Sequence, residues 1–115
     1  MDINYKAELP EELMISAKSL EHLGISEMAW DRENAIKVIE FLYSNNYAIL
    51  GGDVYKEEDG DLNATYDSWY FNRSEAKSAQ DFLQESSKRA IMYINRYHAR
   101  NGEGYYYSII CNSIR

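Results

Sequence analysis

Residues 47–71 constrain the fold more tightly than any other part of the chain. Tyr47-Ala48-Ile49-Leu50 opens a run of residues that suit a pleated, half-buried surface. Gly51-Gly52-Asp53-Val54-Tyr55 continues it, and Glu58-Asp59-Gly60-Asp61 supplies a turn. Asp-Gly tolerates the positive φ that tight hairpin loops require. A strand from Tyr47 to about Lys56 is therefore predicted to pair antiparallel with one from about Leu62 to Phe71. A hairpin of that length must bury at least one face, and the flanking sequence supplies helices to cover it.

Pro10 opens the first of these, with Glu11 and Glu12 at its positive end and Leu13, Ala17, Leu20 and Leu23 as its apolar stripe before Gly24. A second helix is predicted from Ser26 or Asp31, carrying Ala35, Val38, Ile39 and Leu42 at helical spacing until Asn45-Asn46. Ser74 suits the cap of a long third helix reaching about Ala99, with Phe82, Leu83, Ala90 and Ile94 on one face. Tyr105 to Cys111 reads as a last strand that can pair on either side of the hairpin. The order ααββαβ segregates helices from strands. It predicts an α+β fold, a small three-stranded, mostly antiparallel sheet with about three helices, with residues 1–115 as one domain.

Charge narrows the function classes. The chain carries a net charge of −7 and is unevenly loaded, with 15 acids against 5 bases in residues 1–67 and 4 against 7 in residues 68–115. Nucleic acid and anionic membrane both demand basic patches, so neither is the expected partner; a basic protein surface is. The solitary Cys111 excludes an internal disulfide. Met1-Asp2-Ile3-Asn4-Tyr5-Lys6 lacks the charge and apolar pattern of a signal peptide, and the expected compartment is the cytoplasm.

The chemistry-bearing residues cluster on the hairpin. Asp53, Glu57, Glu58, Asp59, Asp61 and Asp67 face one base, Lys56. Alternation along 65–71 places Thr65, Asp67, Trp69 and Phe71 on one face and Tyr66, Ser68 and Tyr70 on the other. Trp69 and Phe71 mark the core face, leaving Tyr66 and Tyr70 exposed beside the acids, and tyrosines so placed make contact hot spots. The double glycine reads as a bulge: it either lets a helix pack closely or aims Asp53 and Tyr55 outward. The acidic turn lacks EF-hand ligand spacing, His22 and His98 lack zinc-type spacing, and no cofactor, metal site or catalytic residue is assigned.

YAILGGDVY at 47–55, an acidic turn, TYDSWYFN at 65–72 and the long helix that follows resemble the immunity protein 40 family. The resemblance covers roughly residues 30–100. It implies a small, cytosolic, non-enzymatic α+β protein that binds a cognate bacterial polymorphic toxin. The matching positions are Gly51, Gly52, Asp53, Tyr55, Asp67 and Trp69. On this reading a basic toxin domain, with nucleases among the candidates, meets Asp53, Tyr55, Glu57, Glu58, Asp59, Asp61, Tyr66, Asp67, Trp69 and Tyr70, while Gly51 and Gly52 shape the edge. Two other readings fit the residues: an adaptor or ligand-binding regulatory module, and a metal-dependent hydrolase that uses Asp53 and Asp67 across the hairpin. Oligomeric state stays open.

Overall fold

The computed structural model describes residues 8–114. Along the chain run α1 (Glu11–Ile15), β1 (Lys18–Ser19), β2 (Met28–Asp31), α2 (Arg32–Ser44), β3 (Tyr47–Glu58), β4 (Asp61–Tyr70), α3 (Ala79–Asn101), β5 (Tyr105–Ser108) and β6 (Ile110–Ser113). Short 3-10 turns at Glu21–Leu23 and Arg73–Glu75 complete the set. The class is α+β, and the hairpin forms one end of the sheet, with β4 at the edge and β3 paired to three strands. The sheet has six strands rather than the three expected, in the order β1-β2-β5-β3-β4, with β6 also paired to β3. Every pairing is antiparallel. The last strand pairs with β3 on the edge opposite β4, and it breaks at Ile109 into β5 and β6.

Two helix boundaries differ from the sequence reading, each for a local reason, and a third settles on one of its two expected caps. The first helix stops at Ile15 because the indole Nε1 of Trp30 donates to the Leu13 carbonyl at 2.7 Å, the acceptor that another helical turn needs. Ala17 N–H turns back to Met14 instead, and the chain runs on through β1. The second helix starts at Arg32, at the later of its two expected caps: Asp31 accepts from Asn34 N–H, while residues 28–31 pair as a strand. The third starts at Ala79, capped by Ser78 accepting from Asp81 N–H, while Asp81 accepts from Lys77 N–H at 3.0 Å. Ser74 lies in the preceding 3-10 turn.

Both faces of the sheet are covered. On one, Ala35, Val38, Ile39 and Leu42 of α2 and Ala90 and Ile94 of α3 pack against Tyr47, Ile49, Val54 and Tyr107. Full burial of an aliphatic side chain such as Ile39 or Leu42 contributes about 1.5–3 kcal/mol. On the other, Leu20 and Ile25 of the segment after α1 cover Ala29, Tyr55 and Leu62. His22 pins this segment down by donating from Nε2 to the Leu62 carbonyl at 2.6 Å. Where β3 outruns β4, Ser86 of α3 replaces the missing strand: its buried hydroxyl accepts from Ile49 N–H at 2.9 Å. Among the described residues no helix is long and apolar enough to cross a membrane.

Candidate functional site

The β3–β4 hairpin is longer than the strands beside it, and its far end projects. Asp59 (φ 54°) and Gly60 (φ 88°) form the two-residue left-handed loop that its sequence predicts. Glu58 and Asp61 close it, and Glu58, Asp59 and Asp61 are all exposed. Glu57 is held back: Lys18 donates to its Oε2 at 2.9 Å, and the same ammonium lies 5.2 Å from the centre of the Tyr106 ring. The hydrogen bond to Glu57 raises the Lys18 pKa. Three carboxylates of the turn therefore face solvent, Glu58 among them lying 3.9 Å from Lys56, and Glu57 is held by Lys18.

Two bulges follow from the register. Between Ile49 and Gly51 β3 gains a residue against β6, which places the predicted bulge at the double glycine. The second is in β4. From Asp53 to Tyr55 the partner strand runs from Ser68 back to Ala64, so Thr65, Tyr66 and Asp67 sit opposite Val54 alone. Thr65 ties this bulge: its hydroxyl donates to the Val54 carbonyl at 2.9 Å and accepts from Asp67 N–H at 3.1 Å. Tyr66 takes a left-handed conformation (φ 69°) that a bulky side chain seldom adopts, and it stands 93% exposed. No glycine marks this bulge, and sequence reasoning missed it. The only signal was Thr65, a side chain able to bond its own backbone neighbourhood.

The bulges sort the predicted residues onto different faces. Tyr66 and Tyr70 are exposed, and Trp69 is half-buried with its indole stacked on Tyr93 of α3 at 4.9 Å. Phe71 is buried. Asp67 turns toward α3 and accepts from the Tyr97 hydroxyl at 2.8 Å. Burial and then this bond push the Tyr97 pKa up to about 12. From Tyr97 the aromatic contacts continue to Tyr93, Tyr105 and Tyr107, with ring centres 5.3–6.0 Å apart. Tyr93, Tyr97, Tyr105 and Tyr107 thus form a strut behind the hairpin and not its outer surface.

Tyr55, expected at the contact edge, is a correction. It is 4% exposed and packs with Leu20, Ala29 and Leu62, because the sheet is covered on both sides. Burial, then the charge of Asp53, raises its pKa. Asp53 itself is exposed, but it does not converge with Asp67. Val54 points into the core under α2 and α3, so its neighbour Asp53 points away from that face, whereas Asp67 is bonded to α3. The carboxylate pair required by the hydrolase reading is therefore split between two faces.

Gly51 and Gly52 make the floor of a cleft of about 550 Å³ walled by Asp53, Tyr70, Arg73 and Ile110. Neither position has room for a side chain. A Cβ on Gly51 would collide with the Trp69 carbonyl oxygen and lie 2.9 Å from the Tyr70 Cα; one on Gly52 would collide with the Ser108 carbonyl oxygen and lie 2.5 Å from the Trp69 ring. The double glycine thus admits the Trp69 indole of the neighbouring strand rather than a helix and leaves a recess beside Asp53; of the two residues expected to turn outward there, Asp53 is exposed and Tyr55 is buried.

With known protein families, the chain matches Immunity protein 40 over residues 19–111. No curated protein and no solved structure matches it.

Proposed function

The chain belongs to the immunity protein 40 family, and from that premise we propose that it neutralises a cognate bacterial polymorphic toxin by stoichiometric binding through the outer surface of the β3–β4 hairpin. Tyr66 is the observation that carries this reading. A large aromatic held in a costly left-handed conformation and turned almost wholly to solvent serves no core, so its use lies in what it meets. The same hairpin carries the exposed carboxylates of Asp53, Glu58, Asp59 and Asp61, and Tyr70 at the rim of the glycine-floored cleft. Acids of this density steer a basic partner into encounter, and the tyrosines anchor it. Against a nuclease, the acidic turn would occupy the groove that otherwise holds phosphates.

Growth on expression of the neighbouring toxin gene, with and without this protein, tests the proposal. Rescue together with a complex on mixing supports it; no rescue and no complex overturns it. Reversing Glu58, Asp59 and Asp61 to lysine should slow association at low salt, and an unchanged association rate would place the interface elsewhere.

A further inference from the structure

On the other side of Tyr70 the surface changes sign. A groove of about 540 Å³ runs between β4 and α3. Its helical wall carries Lys88, Arg89, Met92 and Arg96, spaced to share one face. Against those three cations the lining holds one carboxylate, Glu85. Arg89 is partly engaged, 3.9 Å from Glu75 and over the Phe71 ring. Among the described residues neither Lys88 nor Arg96 has an ion-pair partner. Trp69 and the 40%-exposed Met92 supply apolar surface between the charges. β4 is the terminal strand of the sheet, so its outer edge has no strand partner among the described residues.

We propose that this groove is a second recognition surface that takes a short acidic segment of a partner protein, laid in extended form along β4 opposite Gly51–Asp53. An exposed strand edge gives backbone hydrogen bonds to an extended peptide, while Lys88 and Arg96 select carboxylates and Met92 and Trp69 seat an apolar side chain between them. The bulge at 65–67 interrupts the strand, so the regular stretch beside the groove runs only from Ser68 to Tyr70, and the segment is short. A long nucleic acid is disfavoured by the exposed carboxylates of the same hairpin and by the net charge of −7. A second copy seating its own acidic turn here would make a head-to-tail contact that propagates instead of closing. The assignment goes beyond the acidic turn: a partner must then present basic and acidic features together, which rejects proteins that match only one sign.

The test needs no toxin, so its outcome is separate from that of the immunity reading. The full chain is titrated with a capped peptide of alternating glutamate and valine, reading tryptophan fluorescence. Trp30 is fully buried, so a change reports on Trp69. The expected result is saturable quenching or enhancement that weakens with salt, is about tenfold weaker or more in a Lys88→Glu/Arg96→Glu variant, and persists in an Asp59→Lys/Asp61→Lys variant. Backbone amide shifts at residues 68–70 should accompany it. All four substituted side chains are exposed, and circular dichroism checks that each variant folds. Any of four results overturns the proposal: no saturable change at millimolar peptide, equal binding of the lysine–valine peptide, tighter binding of a single-stranded oligonucleotide at the same groove, or concentration-dependent self-association abolished by the Lys88/Arg96 substitutions.

Discussion

Replacing Tyr66 with glycine should stabilise the fold and weaken partner binding at once. The left-handed conformation at φ 69° costs an L-residue about 1–2 kcal/mol, which glycine does not incur. Glycine's greater freedom in the unfolded chain takes back about 0.5–1 kcal/mol. Because the side chain is 93% exposed, the burial lost is a few tenths of a kcal/mol at roughly 25 cal/mol per Å². The net is a gain of about 0.5 kcal/mol, a rise in Tm of roughly 2–4 °C for a domain of this size. Loss of an interface tyrosine, in contrast, costs about 2 kcal/mol, some thirtyfold in Kd. Urea denaturation and calorimetric titration with the toxin measure the two changes on one preparation. A Tyr66→Gly protein destabilised by more than about 1 kcal/mol would refute the reasoning, because the tyrosine would then be supporting the fold it is argued to burden.

Three further outcomes follow from the packing around the hairpin. Gly52→Val should cost at least about 1–3 kcal/mol and shift the Trp69 emission, since its Cβ alone meets the Ser108 carbonyl and the indole; denaturant midpoints and fluorescence check both. Ser86→Ala should cost about 1–3 kcal/mol by stranding the buried Ile49 N–H, read from a shifted midpoint at unchanged m-value. The raised pKa of Tyr97 means that the folded state keeps a proton the unfolded state releases. Its contribution to stability is therefore complete below about pH 10 and fades as pH climbs toward about 12, and Tyr97→Phe should remove that part of the alkaline loss in thermal melts.

Local chemistry was the legible part of the sequence. Asp59-Gly60 named its own turn, the double glycine named its bulge, and the α2 and α3 faces showed their cores at helical spacing. Long-range partners were the illegible part. The apparent stripe Leu13, Ala17 and Leu20 is not one helix face: Leu13 joins the core under α2, while Leu20 lies in the cluster on the opposite side of the sheet. The carbonyl where that helix ends accepts from the Trp30 indole, seventeen residues away in sequence, as well as from the Ser16 hydroxyl. Tyr55 was misplaced because one-sided alternation does not reveal that a second layer covers the other face. Strand β2 escaped notice because Ala29 and Trp30 are both fully buried and leave no period-two signal. The cations of α3 make a groove only with β4 beside them, a neighbour that helical spacing does not reveal.

The protrusion of the hairpin has one more consequence. Past Lys56 the strand β5 no longer accompanies β3, and of residues 57–64 only Leu62 is deeply buried. The turn is thus mechanically attached to the fold and energetically almost detached from it. Substitutions at Glu58, Asp59, Asp61 or Asn63 can rewrite which surface the protein fits while the two-sided core stays untouched. The tip is thus free to vary in sequence, with Leu62, which anchors it, and Gly60, whose φ of 88° favours glycine, as the two features the hairpin has to retain.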